Sequence, residues 1–129
     1  MAKTILFVED DLPTIDVYKT ALNKAGFRVQ VVKLGKEAIL RTKKMLKKGI
    51  KKPDLVLLDL ILPDVNGIEV LREIKKHKET ENIPVFVLTN YSDKKLIEMS
   101  KKLKASKFLL KADYTPTELA KFLKTKIRK

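Results

Sequence analysis

The sequence predicts an α/β fold, a doubly wound parallel sheet built from five β–α units. Two observations carry that reading. Short runs rich in Val, Ile, Leu and Phe alternate along the whole chain with longer amphipathic stretches of helical period. Four of the five short runs are almost continuously apolar, the pattern of strands covered on both faces. Strands alternating with helices call for right-handed crossovers that place helices on both sides of a parallel sheet. A closed eight-stranded barrel needs roughly 250 residues, and the chain has 129.

The first strand is Thr4-Ile5-Leu6-Phe7-Val8. A helix follows over about Leu12–Ala25, with Ile15, Tyr18, Leu22 and Ala25 on one face. Asp11 reads as its N-cap, Pro13 falls in the first turn and Gly26 stops it. The second strand, Phe27–Val32, alternates more, with polar Arg28 and Gln30, and so suits a sheet edge. The second helix spans about Lys36–Lys48, with Ala38, Ile39, Met45 and Leu46 apolar and Gly49 beyond its end. The third strand is Leu55–Leu58, and its helix, about Gly67–His77, presents Ile68, Val70, Leu71 and Ile74. The fourth pair is Val85–Leu88 and about Asp93–Leu103, the helix offering Leu96, Ile97, Ser100 and Leu103. The fifth strand is Phe108-Leu109-Leu110. Thr115-Pro116-Thr117-Glu118 then reads as a capping box with Pro at the first helical position, ahead of a face of Leu119, Phe122, Leu123 and Ile127.

Length and composition narrow the classes of function. One compact unit takes ~100–200 residues, so residues 1–129 read as a single domain. The absence of Cys excludes disulfides and thiol chemistry, and the lone His77 excludes a His-rich zinc site. No apolar run approaches the ~20 residues needed to cross a bilayer. Met1-Ala2-Lys3-Thr4 leads straight into the first strand, so the expectation is a cytoplasmic protein with no secretory signal. The net charge is +13. Residues 36–52, 94–107 and 115–129 together carry +16, so the remainder of the chain is acidic, at −3. Such basicity raises nucleic acid as a partner. Of the 29 bases, however, 25 are Lys and 4 are Arg, and Arg is the better bidentate reader of phosphate and guanine. A solvated Lys-rich surface is therefore preferred.

In open parallel sheets the functional crevice lies beyond the carboxyl ends of the strands. Glu9, Asp10 and Asp11 follow the first strand, Asp59 ends the third, Thr89 and Asn90 follow the fourth, and Lys111 follows the fifth. Alone, each has a bland role as cap, turn or surface residue, and Asp11 is expected only to cap a helix. Together they bring carboxylates, a hydroxyl and a lysine to one sheet edge. Mg²⁺ takes oxygen ligands, typically one or two carboxylates plus substrate phosphate, so Glu9, Asp10 and Asp59 are candidates to hold it. A carboxylate can also act as a nucleophile towards phosphorus, and Asp59, between apolar neighbours on a central strand, is the candidate. Thr89 and Lys111 are the residue types that neutralise phosphoryl oxygens.

These residues sit in segments that resemble the receiver domain of two-component response regulators over essentially the full chain. The matching segments are Ile5-Leu6-Phe7-Val8-Glu9-Asp10-Asp11, Gly35-Lys36-Glu37-Ala38, Pro53-Asp54-Leu55-Val56-Leu57-Leu58-Asp59, Leu62-Pro63-Asp64-Val65-Asn66-Gly67, Ile83-Pro84-Val85-Phe86-Val87-Leu88-Thr89 and Phe108-Leu109-Leu110-Lys111. The spacing Asp59…Pro63…Gly67 is the most specific of them. The resemblance implies a flavodoxin-like (βα)5 fold with strand order 2-1-3-4-5. It implies that Asp59 is the phosphoacceptor and that Mg²⁺ is held by Glu9, Asp10, Asp59 and the Ile61 backbone carbonyl. It further implies that Thr89 is the switch hydroxyl, that Phe108 is the switch aromatic and that Lys111 pairs with phosphate oxygens.

The implied partners are a sensor histidine kinase or phosphotransfer protein and a downstream protein, acidic if the lysines of residues 94–107 form the docking face. The implied switching surface is helix 4–strand 5–helix 5, on a monomer or a phosphorylation-dependent dimer. Most of the family carries an effector domain and none is read in these 129 residues, so the expectation is a stand-alone regulator. A phosphorelay intermediate and a Lys-rich nucleic-acid or anionic-surface binder are the alternatives.

The chain departs from the family pattern in two places. Ala112 stands where many receivers have a cis-linked Pro, and a cis bond to a non-proline costs ~3 kcal/mol, so a trans bond is expected. Asn90 is bulkier than the usual small residue beside Thr89, which narrows access for phosphate. Ile61 and Tyr91, each two residues past a site residue, are expected to shield the acyl phosphate and prolong its life.

Overall fold

A computed structural model of the protein describes residues 2–90 and 93–127. Five strands, β1 (Thr4–Val8), β2 (Arg28–Val32), β3 (Leu55–Leu58), β4 (Val85–Thr89) and β5 (Lys107–Leu110), form one sheet in the order β2-β1-β3-β4-β5. Every neighbouring pair is parallel. The helices are α1 (Leu12–Lys24), α2 (Gly35–Lys44), α3 (Gly67–Lys75), α4 (Lys94–Lys102) and α5 (Pro116–Lys126). The doubly wound architecture and strand order implied by the sequence are those of the molecule.

Successive residues of a strand point to opposite faces, and this divides the core in two. Leu6, Val8, Val56, Leu58, Val85 and Val87 face α2, α3 and α4, where they meet Ala38, Met45, Ile68, Leu71 and Ile74. Ile5, Phe7, Leu55, Leu57, Phe86 and Leu88 face α1 and α5, where they meet Tyr18, Leu22, Leu119 and Leu123. β1, β3 and β4 are buried along their whole length. β2 is an edge strand, as its alternation predicts. β5 forms the opposite edge, where its apolar run predicts cover on both faces. A run of three residues is too short to show the alternation of an edge strand, and the exposed Lys107 that precedes it belongs to the strand.

The helix starts follow their capping chemistry. Asp11 caps α1, its Oδ2 accepting from the Thr14 backbone N–H at 3.1 Å. Thr115 and Glu118 form both halves of the predicted capping box at α5. α2 ends at Lys44, four residues before its predicted end. Beyond it the bonds tighten to i→i+3, Leu46 N–H to Lys43 O and Lys47 N–H to Lys44 O, both at 3.2 Å. Continuing the helix would stack Lys43 on Lys47 and Lys44 on Lys48, like charges at i,i+4.

Candidate functional site

The register fixes which residues meet at the carboxyl edge. Val8 pairs with Leu58, so Glu9 and Asp59 leave adjacent strands at one level, and the Asp59 N–H donates to the Val8 carbonyl at 3.0 Å. Thr89 pairs with Leu110, so Lys111 leaves β5 beside it. The strand order reverses between β1 and β3, where open α/β sheets hold their ligands. A cleft of about 290 Å³ lies there, lined by Glu9, Asp10, Asp11, Thr14, Asp59, Ile61, Thr89, Asn90 and Lys111. All the polar site residues read from the sequence therefore line one cleft. Phe108 lies elsewhere, half-buried along a groove between α4 and β5 that it lines with Ile97, Ala105 and Lys107. Tyr91 falls outside the described residues.

Lys111 holds the centre of the site. Its Nζ donates to Glu9 Oε1 at 2.7 Å and to Asp59 Oδ2 at 3.1 Å. The remaining oxygens are engaged as well: Glu9 Oε2 accepts from the Asp11 N–H at 3.1 Å and Asp59 Oδ1 from the Ile61 N–H at 3.0 Å. Glu9, Asp59 and Thr89 are buried, whereas Asp10 and Asn90 are exposed at the rim. Burial pushes the Glu9 carboxyl above its usual range, and the Asp59 charge adds to this against the hydrogen bond from Lys111. Burial opposes the charge on Lys111 too, but the hydrogen bond to Glu9 and the charges of Asp59 and Glu9 outweigh it and raise its pKa.

The donor set suits a hard divalent cation. Asp59 offers a carboxylate at the cleft floor, Asp10 a solvent-facing one at the rim, and Glu9 stands behind both, turned towards Lys111. Among the described residues no three acids converge as a metal cage. Mg²⁺ does not require one, since it keeps several waters and takes one or two carboxylates with phosphate oxygens.

The loop after Asp59 is held to that carboxylate by close backbone contacts. Ile61 and Asn66 form a bridge across it, the Gly67 N–H donates to the Leu60 carbonyl at 2.8 Å, and Asn66 caps α3. A Cβ on Gly67 would run into the Leu60 Cα and come within 2.6 Å of the Asp59 carbonyl oxygen. This is the physical reason for a glycine eight residues after Asp59. Asp64 has a role that the sequence reading leaves out. Its carboxylate reaches from the same loop to the start of α2 and accepts from the Gly35 and Lys36 N–H groups, each at 2.9 Å. The peptide bond between Lys111 and Ala112 is trans, as expected, and residues Lys111–Asp113 form a single 3-10 turn.

The model of the response regulator receiver domain family matches residues 5–124. The chain belongs to this family. Curated relatives of the receiver include the phosphate regulon transcriptional regulatory protein PhoB of Pseudomonas aeruginosa, 31% identical over all of this chain and 53% of the relative. The DNA-binding response regulator MtrA of Mycobacterium tuberculosis is 29% identical over all of this chain and 52% of its own. The receiver thus spans about half the length of these relatives. Among solved structures, the phosphorylated cyanobacterial phytochrome response regulator RcpA superposes with a TM-score of 0.86 at 29% identity, over 98% of this chain and 94% of that one. The Mn²⁺-bound response regulator Rcp1 gives 0.82 at 26% identity, over 95% and 92%. The receiver domain of sensor histidine kinase PA1611 from Pseudomonas aeruginosa, with a magnesium ion coordinated in its active site cleft, gives 0.82 at 25% identity over 98% of both chains. Among the described residues no helix is long and apolar enough to cross a membrane.

Proposed function

We propose that Asp59 accepts a phosphoryl group from the phosphohistidine of a sensor kinase or phosphotransfer protein, and that the acyl phosphate then switches a protein-binding surface. The observation that carries this reading is the buried Asp59 carboxylate beside the Lys111 ammonium, 3.1 Å away, at the floor of a cleft on the strand-order switch. One carboxylate oxygen of Asp59 forms the new O–P bond as the N–P bond to the imidazole breaks, and the electron pair of that bond returns to the histidine nitrogen. Lys111 compensates charge on the phosphoryl oxygens, and the Ile61 N–H steadies the attacking carboxylate. Mg²⁺ fits the cleft through Asp10, Asp59 and the Ile61 carbonyl, with Glu9 adding negative charge behind them; bound there it would neutralise phosphate charge.

Once phosphorylated, Asp59 offers new acceptors to Lys111 and to the Thr89 hydroxyl. Thr89 ends β4, and the segment leading to α4 begins there, so the new contacts bias the position of that helix. α4 supports such a shift because its apolar residues are only half-buried: Leu96, Ile97 and Met99 all retain exposure, and Ser100 is its one buried residue. The groove of about 360 Å³ along α4 and β5, with Phe108, Ile97, Lys101 and Lys107 in its lining, is the surface this movement reshapes. A downstream protein with an acidic face fits its lysines.

Beryllofluoride, a phosphoryl mimic, should bind in the presence of Mg²⁺ and shift the backbone resonances of Asp59, Thr89, Phe108 and Lys111 in a heteronuclear NMR titration. Shifts that stop at the cleft and leave Phe108 and α4 unmoved would refute the switching surface while leaving the acceptor in place.

A further inference from the structure

A second concave site lies at the far pole of the molecule, between the C-terminal ends of α3 and α4. It has a volume of about 430 Å³, and its lining includes Arg72, Lys75, Lys76, Lys102 and Lys104 with one acid, Glu81. The family assignment does not call for this cleft, and it stands at the opposite ends of the helices from Asp59.

The cations are arranged for a ligand in unequal ways. Lys75 is fixed from within: its Nζ donates to the Glu81 and Ile83 carbonyls at 2.9 and 2.7 Å, which makes it a rigid positive floor. Arg72 pairs with Glu69 at 2.7 Å and Lys76 with Glu73 at 3.1 Å, yet both side chains remain about half exposed and are able to turn to a stronger partner. Lys102 and Lys104 take part in no side-chain ion pair among the described residues. The C-terminal dipoles of α3 and α4, each equivalent to about −0.5 charge, offset only part of the positive charge of these five side chains. The last carbonyls of α4 are occupied by a Schellman pair, Lys104 N–H to Lys101 O and Ala105 N–H to Ser100 O, each at 2.9 Å.

That Schellman turn supplies the second, independent observation. Its left-handed residue is Lys104, with φ +67°, the one non-glycine in that region among the described residues. Glycine is the residue such a position favours, and a Cβ there costs free energy that the turn itself does not need. The side chain kept at this strained position is a lysine that lines the cleft. The lining also explains the class of ligand. It holds no aromatic ring for stacking, and lysines act as point charges on phosphate. A cleft of a few hundred Å³ suits a compact ligand with several charges.

We infer that the α3–α4 cleft is a binding site for an oligophosphate anion, with Lys102 and Lys104 as its principal contacts over a floor set by Lys75.

The test is an NMR and calorimetric titration of the full chain with inorganic triphosphate, with EDTA present so that no divalent cation draws phosphate to the acidic cleft. The expected result is saturable binding, with amide shifts at Lys102, Lys104 and Asn82 and none at Asp59. Lys104→Gly relieves the backbone while removing the charge. It should raise the thermal midpoint and weaken triphosphate binding roughly threefold to fivefold, the size of one exposed charge contact. Lys47→Gln with Lys48→Gln, which removes twice the charge from the α2–β3 loop, should leave binding within about twofold, since neither lysine lines the cleft and exposed charges that make no direct contact are screened by salt. ATP in place of triphosphate identifies the source: equal affinity assigns the bare phosphate chain, tighter binding a nucleotide, and either upholds the cleft. Unchanged affinity in Lys104→Gly, an equal loss in the Lys47/Lys48 variant, or shifts spread over all the lysines would overturn the inference.

Discussion

Lys111 holds together two carboxylates that the sheet places side by side. Glu9 and Asp59 are both buried, and without the ammonium their charges would face each other across the cleft floor. Lys111→Met should therefore lower stability by about 2 kcal/mol at neutral pH, less than a fully enclosed pair because the cleft opens to water. The folded-state pKa of Lys111 lies above 10.5, so its contribution is complete below that value and is lost as the pH rises through the folded value. Urea denaturation across the alkaline range should show the deficit of the variant closing there; a deficit that persists unchanged would deny the ionic origin. Ile61 is 47% exposed and lines the cleft beside Asp59, a position from which it would shield an acyl phosphate there. Ile61→Asn should speed hydrolysis of the acyl phosphate several-fold, read as decay of the phosphorylated form, and equal decay in the two proteins would remove the shielding role. The positions of Glu9, Asp59, Thr89 and Lys111 were legible in the sequence because each directly follows or ends an apolar run. The ammonium bridge was not, since Glu9 and Lys111 lie 102 residues apart and pair through the register of strands.

Asp64 acts between elements. Its carboxylate ties the β3–α3 loop to the first turn of α2, where backbone N–H groups and the helix dipole favour negative charge. The hydrogen bonds from the Lys36, Gly35 and Val65 N–H groups hold its pKa below the ordinary 3.8, against a smaller opposing effect of burial. A depressed carboxylate contributes stability that is present above its unfolded value and lost as the pH falls through the folded one. Asp64→Asn should thus be less stable than the parent at neutral pH and converge with it below about pH 3.8 in thermal melts. Parallel melting curves from neutral to acid would show that the charge is idle. The sequence marks Leu34–Gly35 as a helix start only weakly, because Leu34 has no capping side chain and the cap arrives from 29 residues away. The apolar spacing of α2 and Gly49 beyond it likewise point to an end four residues too late, because neither registers the repulsion of stacked lysines. α1 and α5 were legible to within a residue or two at their starts, as their caps are local: Asp11 with Thr14, Thr115 with Glu118.

At the scale of the molecule, a parallel βα fold aligns every helix, so all N-termini share one pole with the strand carboxyl ends. Glu9, Asp10, Asp11, Asp59 and Asp64 gather at that pole. Basic residues occupy the last turn of all five helices, Lys24, Arg41, Lys43, Lys44, Arg72, Lys75, Lys101, Lys102, Lys124 and Lys126, where they complement the helix dipoles. Part of the segregation of charge read from the sequence follows from topology: the cleft acids stand at the strand carboxyl ends and the last-turn bases at the opposite pole, while Lys36, Lys94 and Lys95, in the first turns of α2 and α4, do not follow it. What charge counting did not reveal is that part of the basic pole is concave. The central claim concerns the acidic pole and is tested most directly by intact-mass spectrometry after incubation with acetyl phosphate and Mg²⁺. One phosphoryl group should appear on the wild-type chain, disappear in mild base and be absent from Asp59→Asn. A phosphoryl group that still forms on Asp59→Asn, or none on the wild type under conditions where beryllofluoride binds, would contradict the assignment of Asp59 as the acceptor.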